Sequence, residues 1–565
     1  MHTWLRSRTL PSSALLAALA LAVGAPALEA RLARVDSGPV EEQIRLRIEA
    51  LIAGQAVEAA GDPLLAREAL QALYTARGFS PAWGDDEQVV ALLDALVSAR
   101  EHGLRAEDYH SPTIRQLVAQ LAAGEGSEDE LGGLLADLDL VLSDAFLLLG
   151  AHVVSGRVDP ESFDPEWVAV RREVDLVVAL ERALSSGVAA VLRELEPDFP
   201  EYRRLVDALA RYRRLDAAGG WTPVGAGEAL SFEERSEGER VAALRRRLVV
   251  TGDLEPDEAA GADAPSARFD ERLDDAVRAF QRRHGLEPDG KVGRRTLEEL
   301  DVPVAERVGQ IERNLERWRW LPQSLGERHV RVNVPDYRLE EWRAGRAVLA
   351  MRVIVGRAYR RTPVFSGEIS YLVLNPSWDV PPRLAVQDKL PLIREDVGYL
   401  ERLGFDVLQG WGTEEEVVDP ATIDWGALGP GAFPYRLRQR PSPQNALGRV
   451  KFMFPNRFNV YLHDTPERGL FARPERELSS GCIRLERPLD LALSLLDGLE
   501  DWSAERLDRV LASGRSQTVV LPQRVPVHLL YLTAWASEDG SVHFRRDLYG
   551  RDARLAAALA APAPG

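Results

Sequence analysis

One cysteine and one histidine carry the clearest chemistry in this sequence. Cys482 is the only cysteine in 565 residues, and His463 precedes it in the stretch RFNVYLHD (457–464). A thiol attacks as its thiolate, so a thiol with an ordinary pKa near ~8.5 needs a neighbouring base at neutral pH. The alternation in 457–464 predicts a strand, which would hold such a base rigidly. Acyl transfer by Cys482 with His463 as base is therefore one hypothesis, and an inert buried cysteine is the other.

The residues beside this pair fit the first hypothesis. The second ring nitrogen of the histidine needs an acceptor, and Asp464 offers either its backbone carbonyl or its carboxylate. Gly481 lets the chain turn sharply before the thiol, so that backbone N–H groups there could stabilise an oxyanion. Ser479 and Ser480 are small and polar, as a tight turn requires.

Other chemistries of cysteine fit less well. A zinc site needs more Cys and His ligands than residues 461–488 offer, so no metal is expected. The base precedes the nucleophile in the chain, unlike the order in papain-type proteases, and the caspase signature is absent.

Composition and the N-terminus predict an exported globular protein. The chain has 70 Lys and Arg against 88 Asp and Glu, a formal net charge of −18. Such a charge argues against nucleic acid or an anionic membrane as the main partner. Residues 1–30 combine Arg6 and Arg8 with a short apolar stretch and a small-residue cleavage signal, which is typical of a signal peptide. A retained signal anchor, giving a single membrane tether, is the alternative.

The positioning elements begin with a helical scaffold domain, predicted over residues 31–232. Apolar residues recur at spacings of three and four in PLLAREALQALYTARG (63–78) and EQVVALLDALVSAREHG (87–103), and each stretch ends at glycine. The histidines of this region lack metal-ligand spacing. We therefore expect a structural role for it.

A small helical domain is predicted over residues 233–303, followed by a helical linker at 304–326. The stretch AVRAFQRRHGLEPDGKVGRRTLEEL (276–300) contains a Pro-Asp-Gly turn between amphipathic segments. It resembles the peptidoglycan-binding domain found beside many wall enzymes. A generic helical bundle is the alternative, and binding of glycan by this copy stays open.

From residue 327 the spacing of apolar residues changes from the helical period to the alternation of strands, so residues 327–521 predict a β-rich, sandwich-like domain. An insertion at 384–440 interrupts its strands and is predicted to form a lid, with a remote surface decoration as the alternative. Residues 522–565 predict a C-terminal tail that packs on the scaffold. The whole chain is thus predicted to be a multidomain α+β protein.

The spacing around the thiol resembles the L,D-transpeptidase family, whose catalytic domain is of the YkuD type. Fifteen residues, 464–478, separate the histidine from Ser-Ser-Gly-Cys. The family usually has His where Ser480 stands and often Asn where Arg484 stands. Both departures resemble the periplasmic YcbB-like subgroup, and they leave His463 as the sole base. The runs WDVPP (378–382), NALG (445–448) and FMFPN (452–456) extend the resemblance.

The resemblance implies a reaction. Cys482 would attack the carbonyl between diaminopimelate and the terminal D-Ala of a donor stem, and His463 would protonate the leaving D-Ala. The amine of an acceptor stem would then resolve the thioester into a direct diaminopimelate–diaminopimelate cross-link. No cofactor would be needed, because the thioester retains the energy of the old peptide bond. The implied substrate-binding candidates are Arg484, Tyr461, Asn445 and Trp378.

Several alternatives stay open. Water would make the same thioester a carboxypeptidase intermediate, and amines other than a stem would give protein anchoring or D-amino-acid exchange. An inactive catalytic domain would leave a wall-binding scaffold. The expected partners are stem peptides and glycan strands, and the expected location is the periplasm. For Arg484 a surface salt bridge, and for Tyr461 simple packing, are the structural alternatives. The sequence does not predict the oligomeric state.

Overall fold

The computed structural model describes residues 37–123, 127–256, 266–410 and 412–561. The predicted signal peptide or anchor at 1–30 lies outside these residues. Within them, no helix combines the length and the apolar character needed to cross a bilayer.

The N-terminal region is helical, as the periodicity predicts. Its α-helices are α1 Ser37–Ile52, α2 Arg67–Ala76, α3 Asp86–Ser98, α4 Ser111–Ala123, α5 Glu128–Ser155, α6 Pro160–Phe163, α7 Leu176–Ser186, α8 Val188–Leu195 and α9 Pro200–Ala217. Helix α5 is mostly buried, and helices α1 to α4, α7 and α8 pack around it in one hydrophobic core, whereas α9 contributes to a separate hydrophobic cluster. It begins with a capping box, in which Ser127 and Glu130 satisfy each other's backbone N–H groups.

The next unit has three short helices, α10 Glu239–Thr251, α11 Glu271–Arg283 and α12 Arg294–Leu300. Buried Gln281 organises the turn between the last two. Its amide nitrogen donates to Asp289 Oδ1 at 2.8 Å and to the Lys291 carbonyl at 3.0 Å, and its oxygen accepts from the Gly290 N–H at 2.9 Å. Gln281 is therefore needed for the turn itself. Helix α13, Val304–Arg319, then leads to the β-rich domain.

The β-rich domain is built on a sheet of nine strands. They are β3 Arg328–Asn333, β4 Arg338–Arg343, β5 Arg346–Gly356, β6 Phe365–Leu374, β11 Val450–Met453, β12 Leu462–His463, β13 Glu477–Ser479, β14 Ile483–Leu485 and β15 Gln517–Leu530, numbered after the short hairpin strands β1 Glu58–Ala59 and β2 Asp62–Pro63. The order is β13-β5-β14-β12-β11-β6-β15-β3-β4, and β4 pairs again with β5. The predicted β-rich fold is confirmed. Because β4 pairs with β5, the strand pairings from β5 through β14 and β3 to β4 return to β5 and form a closed ring.

Strand alternation decides which residues face the core and which face the site. Leu372, Phe452, Leu462 and Ile483 are all fully buried, and they occupy matching positions on β6, β11, β12 and β14. Successive side chains in a strand point to opposite faces. The residues next to these four, among them His463, therefore lie on the opposite face of the sheet.

Strand β12 is shorter than the sequence pattern predicts. It contains only Leu462 and His463, because the chain turns just before it. Asn459 has a φ of 53°, and the Asn456 side chain accepts from the N–H groups of Phe458 and Val460. Asparagine side chains form such turns readily and compete with strand pairing.

The insertion predicted at 384–440 has a sheet and a core of its own, and this sheet also includes β7, which lies before residue 384; residues 378–440 are called the lid below, after the prediction. Its strands are β7 Trp378–Asp379, β8 Phe405–Gln409, β9 Glu416–Val418 and β10 Arg436–Gln439, in the order β7-β10-β8-β9. Its α-helices are α14 Pro382–Leu384, α15 Leu390–Glu395 and α16 Gly398–Arg402, with a π-helical stretch at Ala385–Lys389. Buried Ile393, Phe405 and Leu437 belong to its separate hydrophobic cluster.

The C-terminal part returns to the earlier units. Helices α17 Pro488–Leu496 and α18 Ala504–Ala512 precede β15, and a hairpin of β16 Ala534–Ala536 and β17 Val542–Phe544 precedes α19 Arg551–Ala560. Fully buried Arg551 on α19 donates to Asp164 Oδ2 at 2.7 Å, beside α6. The tail is therefore tied to the helical region by a buried ion pair.

Candidate active site

Cys482 follows a tight turn between β13 and β14. Gly481 has a φ of 117°, and a Cβ atom there would lie 3.3 Å from the Arg361 carbonyl oxygen. Buried Ser479 braces the turn, since its Oγ donates to the Cys482 carbonyl at 2.6 Å and accepts from the Gly481 N–H at 3.1 Å. The sequence predicted an oxyanion role for the N–H groups here. The Gly481 N–H is already engaged, whereas the Cys482 N–H donates to none of the described residues.

The thiol lies beside Tyr461. The Ile483 N–H donates to the Tyr461 carbonyl at 3.1 Å, which sets Cys482 next to Tyr461 on the neighbouring chain segment. Burial raises the pKa of the half-buried Cys482 thiol, while hydrogen bonds from Tyr461 and the charge of Lys451 act in the opposite direction. The resting residue is therefore a thiol, whose thiolate is favoured by Tyr461 and Lys451.

His463 is fixed in one tautomer. Its Nδ1 lies 2.5 Å from the Asp464 carbonyl oxygen, and a carbonyl can only accept, so Nδ1 carries the proton. Burial, followed by the charge of Arg484, lowers the pKa of His463 to about 3. The imidazole is thus neutral at pH 7 and keeps a lone pair on Nε2, as a general base requires.

Of the two acceptors that Asp464 could offer, the backbone carbonyl holds the histidine. The carboxylate accepts instead from the Thr465 N–H at 2.7 Å, the Arg449 N–H at 2.8 Å and Arg468 at 2.5 Å. Gly448 permits this packing, because a Cβ atom there would lie 2.3 Å from the carboxylate carbon of Asp464. Asp464 therefore fixes the loop and, through its carbonyl, the tautomer.

Arg484 and Lys451, the two cations whose charges act on both His463 and Cys482, differ in their partners. Arg484 forms an ion pair with Glu467, which is the salt bridge that the sequence left as an alternative. Lys451, which sequence reasoning missed, lies directly opposite His463 in the β11–β12 pairing. Its Nζ is 3.9 Å from the centre of the Tyr461 ring. The pattern that could have found it is a lysine in an otherwise apolar strand, KFMF (451–454).

Trp378 and Asn445 have different surroundings. Trp378, on β7 of the lid, hydrogen-bonds the Tyr461 hydroxyl and so joins the site. Asn445 is fully buried, and its amide nitrogen donates to the carbonyls of Pro376, Gln439 and Arg440 at 3.0–3.2 Å. Asn445 therefore fixes the backbone where the lid joins the sheet, and its amide nitrogen is fully used there.

Arg360 connects the lid to the turn at 479–482 that precedes β14, called the nucleophile turn below. Its guanidinium binds the Asp388 carboxylate at 2.5 and 2.7 Å and donates to Ser480 Oγ at 2.9 Å. The Arg360 side chain is 8% exposed, so this bridge is shielded from solvent on the arginine side. Ser480 thus accepts from the arginine that also binds Asp388 of the lid.

A second brace comes from the tail. The Tyr549 hydroxyl donates to the Gly356 carbonyl at 2.6 Å, and Thr362 Oγ1 donates to the Gly481 carbonyl at 2.8 Å. The Thr362 N–H also reaches the Tyr549 hydroxyl at 3.4 Å. The segment 356–362 therefore links the C-terminal tail to the turn before Cys482.

The site lies apart from a large cleft, and the described residues show no metal-ligand cluster there. Among the described residues, no group of three His, Cys, Asp or Glu side chains could hold a metal ion. A cleft of about 970 Å³ lies between β3, β4, the α11–α12 turn and the tail hairpin, and neither Cys482 nor His463 lines it. The Cys482–His463 pair therefore lies outside this cleft.

Three segments of the chain match known domain families. Residues 68–209 match a scaffold domain, residues 237–300 a domain described as "Putative peptidoglycan binding domain", and residues 327–501 the L,D-transpeptidase catalytic domain, YkuD. The last segment contains Cys482 and His463.

A curated relative carries the same description. A curated protein of Haemophilus influenzae, named "Putative L,D-transpeptidase", is 39% identical over 267 residues, which cover 46% of this chain and 53% of that protein. The chain therefore matches about half the length of this relative. An L,D-transpeptidase structure from Xylanimonas cellulosilytica is 17% identical with a TM-score of 0.17, covering 54% of this chain and 99% of that one. One from Stackebrandtia nassauensis is 12% identical with a TM-score of 0.20, covering 55% and 97%.

Proposed function

We propose that this chain, which belongs to the L,D-transpeptidase family through its YkuD catalytic domain, cross-links peptidoglycan stems through a thioester on Cys482. The observation that carries the proposal is the turn at 479–482, which sets the thiol beside Tyr461 on the strand segment that also holds the neutral, buried His463. A thiol, a neutral base and an N–H that donates to none of the described residues are the groups that acyl transfer by cysteine requires.

In the first half-reaction, the Cys482 sulfur attacks the carbonyl between diaminopimelate and D-Ala of a tetrapeptide stem. The thiol proton passes to His463 Nε2, and the developing oxyanion accepts from the Cys482 N–H and the Tyr461 hydroxyl. Collapse of the intermediate breaks the C–N bond. D-Ala leaves as an amine with the proton from His463, and the thioester remains.

In the second half-reaction, the side-chain amine of a second stem attacks the thioester, and His463 accepts its proton. The C–S bond breaks, the thiol is restored, and a diaminopimelate–diaminopimelate bond is formed. The lid limits the entry of water, because the Arg360–Asp388 ion pair joins it to the nucleophile turn. The domain at 237–300 supports action on peptidoglycan, so we propose glycan strands and stems as partners.

The proposed location follows from the substrate. Peptidoglycan lies outside the cytoplasm, and residues 1–30 have the pattern of a signal peptide or anchor. We therefore propose export to the periplasm, a role in cell-wall biogenesis and cell shape, and covalent inhibition by carbapenems at Cys482.

The test is to incubate the full chain with a disaccharide-tetrapeptide and to analyse the products by mass spectrometry. We expect a cross-linked dimer and free D-Ala. Tripeptide alone would instead indicate a carboxypeptidase, and no turnover would indicate a wall-binding scaffold. Cys482→Ala should abolish turnover and any carbapenem adduct, while its thermal unfolding stays close to that of the wild type. An adduct on the variant would contradict the nucleophile assignment.

A further inference from the structure

Two cations, Lys451 and Arg484, lower the pKa of Cys482 through their charge, and of these only Lys451 lacks a carboxylate partner among the described residues. Arg484 is paired with Glu467. Asp379 acts on Lys451 through its field, but its carboxylate is bound at 2.9 Å by Arg436 and at 3.0 Å by Arg438. An ammonium that is partly removed from water without an anionic partner is costly, so such a group points to a ligand.

The position of Lys451 indicates where such a ligand would bind. Lys451 is directly opposite His463, and residues paired in this way share one face of a sheet. Its half-buried Nζ lies over the Tyr461 ring, and Tyr461 hydrogen-bonds the Cys482 thiol. A negative group bound by Lys451 would therefore lie beside the carbonyl that Cys482 attacks.

The proposed donor has one carboxylate at the right separation. The carboxylate of the leaving residue is three bonds from the attacked carbonyl carbon, which is roughly 3 to 4 Å. Resting on the function proposed above, we infer that Lys451 binds this carboxylate and so selects donors whose leaving residue ends in a free acid. A stem extended by another residue, or amidated at this point, would leave the ammonium without its anion.

A simpler role for Lys451 would be to stabilise the Cys482 thiolate alone. That role would be indifferent to the donor, because the thiolate is the same for every substrate. Selection of a carboxylate predicts a change for acid donors only. The two roles are therefore separated by comparing two donors that differ at one group.

The experiment uses the full chain with tetrapeptide stems ending in a carboxylate or in a carboxamide. We expect the wild type to prefer the acid by about 10- to 100-fold in kcat/KM, the range of a hydrogen-bonded charge pair. Lys451→Met, which keeps the length of the side chain, should remove this preference by lowering kcat/KM for the acid. Arg484→Met should keep the preference. An equal fall for both donors in Lys451→Met would overturn the inference.

A second measurement does not depend on turnover. Iodoacetate and iodoacetamide alkylate the same thiol, but only iodoacetate brings a carboxylate next to the reacting carbon. We expect the ratio of their rates to fall several-fold in Lys451→Met and to change less in Arg484→Met, with thermal unfolding confirming that each variant is folded. An unchanged ratio in Lys451→Met would overturn the inference. Absence of turnover on both stems by the wild type would instead contradict the proposed function.

Discussion

The Tyr461 side chain hydrogen-bonds the Cys482 thiol across neighbouring chain segments, and this contact lowers the pKa that burial raises. The same hydroxyl is bound by Trp378 of the lid. Tyr461 therefore joins the nucleophile to the element that covers it.

Removing this hydroxyl should slow the reaction without unfolding the protein. For Tyr461→Phe we expect kcat/KM to fall by about 10- to 100-fold, because one donor to the thiolate and to the oxyanion is lost. Alkylation of Cys482 by iodoacetamide should also need a higher pH than in the wild type. An unchanged pH dependence would reduce Tyr461 to a packing residue.

The protonation states of the pair predict a broad pH profile. Since the pKa of His463 is lowered to about 3 and that of Cys482 is raised, both groups are neutral across the range between these values. We expect kcat/KM to change by less than about 3-fold from pH 7 to pH 5, because His463 gains a proton only far below its ordinary pKa. A loss of activity centred near pH 6.5 would contradict this.

The turn at Gly481 should tolerate no side chain. Gly481→Ala places a Cβ at positive φ and 3.3 Å from the Arg361 carbonyl oxygen, with a strain of about 1–3 kcal/mol. We expect a lower melting temperature and at least a 100-fold loss of turnover, since the thiol is displaced. Gly498→Ala is the matched control: it also has a positive φ, of 85°, but open space around it. The control should lose stability and keep turnover.

The bridge from Arg360 to the lid should control access to the thiol. In Asp388→Asn the paired charge is lost, and we expect Cys482 alkylation to rise about 3- to 10-fold and hydrolysis to increase relative to cross-linking. Asp396→Asn is the matched control, because Asp396 forms an exposed lid ion pair with Arg402 at 2.6 Å. Equal alkylation rates in both variants would show that the bridge does not hold the lid.

The accuracy of the sequence predictions depended on how local each property is. The helices of the first region and the turn fixed by Gln281 follow from spacing and turn residues, which are local patterns. The length of β12 was overestimated because Asn456 forms a side-chain turn that alternation does not reveal. Asn445 lies in the run NALG, which resembles the family, but its buried amide nitrogen donates to backbone carbonyls.

By itself, the sequence determined the candidate pair, since a lone cysteine, a glycine before it and a histidine at a matching spacing are visible without coordinates. Only the tertiary structure decided how each group is used. In the folded chain Arg484 forms an ion pair with Glu467, whereas Lys451 has no carboxylate partner among the described residues. The backbone carbonyl of Asp464, and not its carboxylate, accepts from His463. Hydrogen-bond partners, burial and charge come from segments far apart in the chain, so no local pattern could have fixed them.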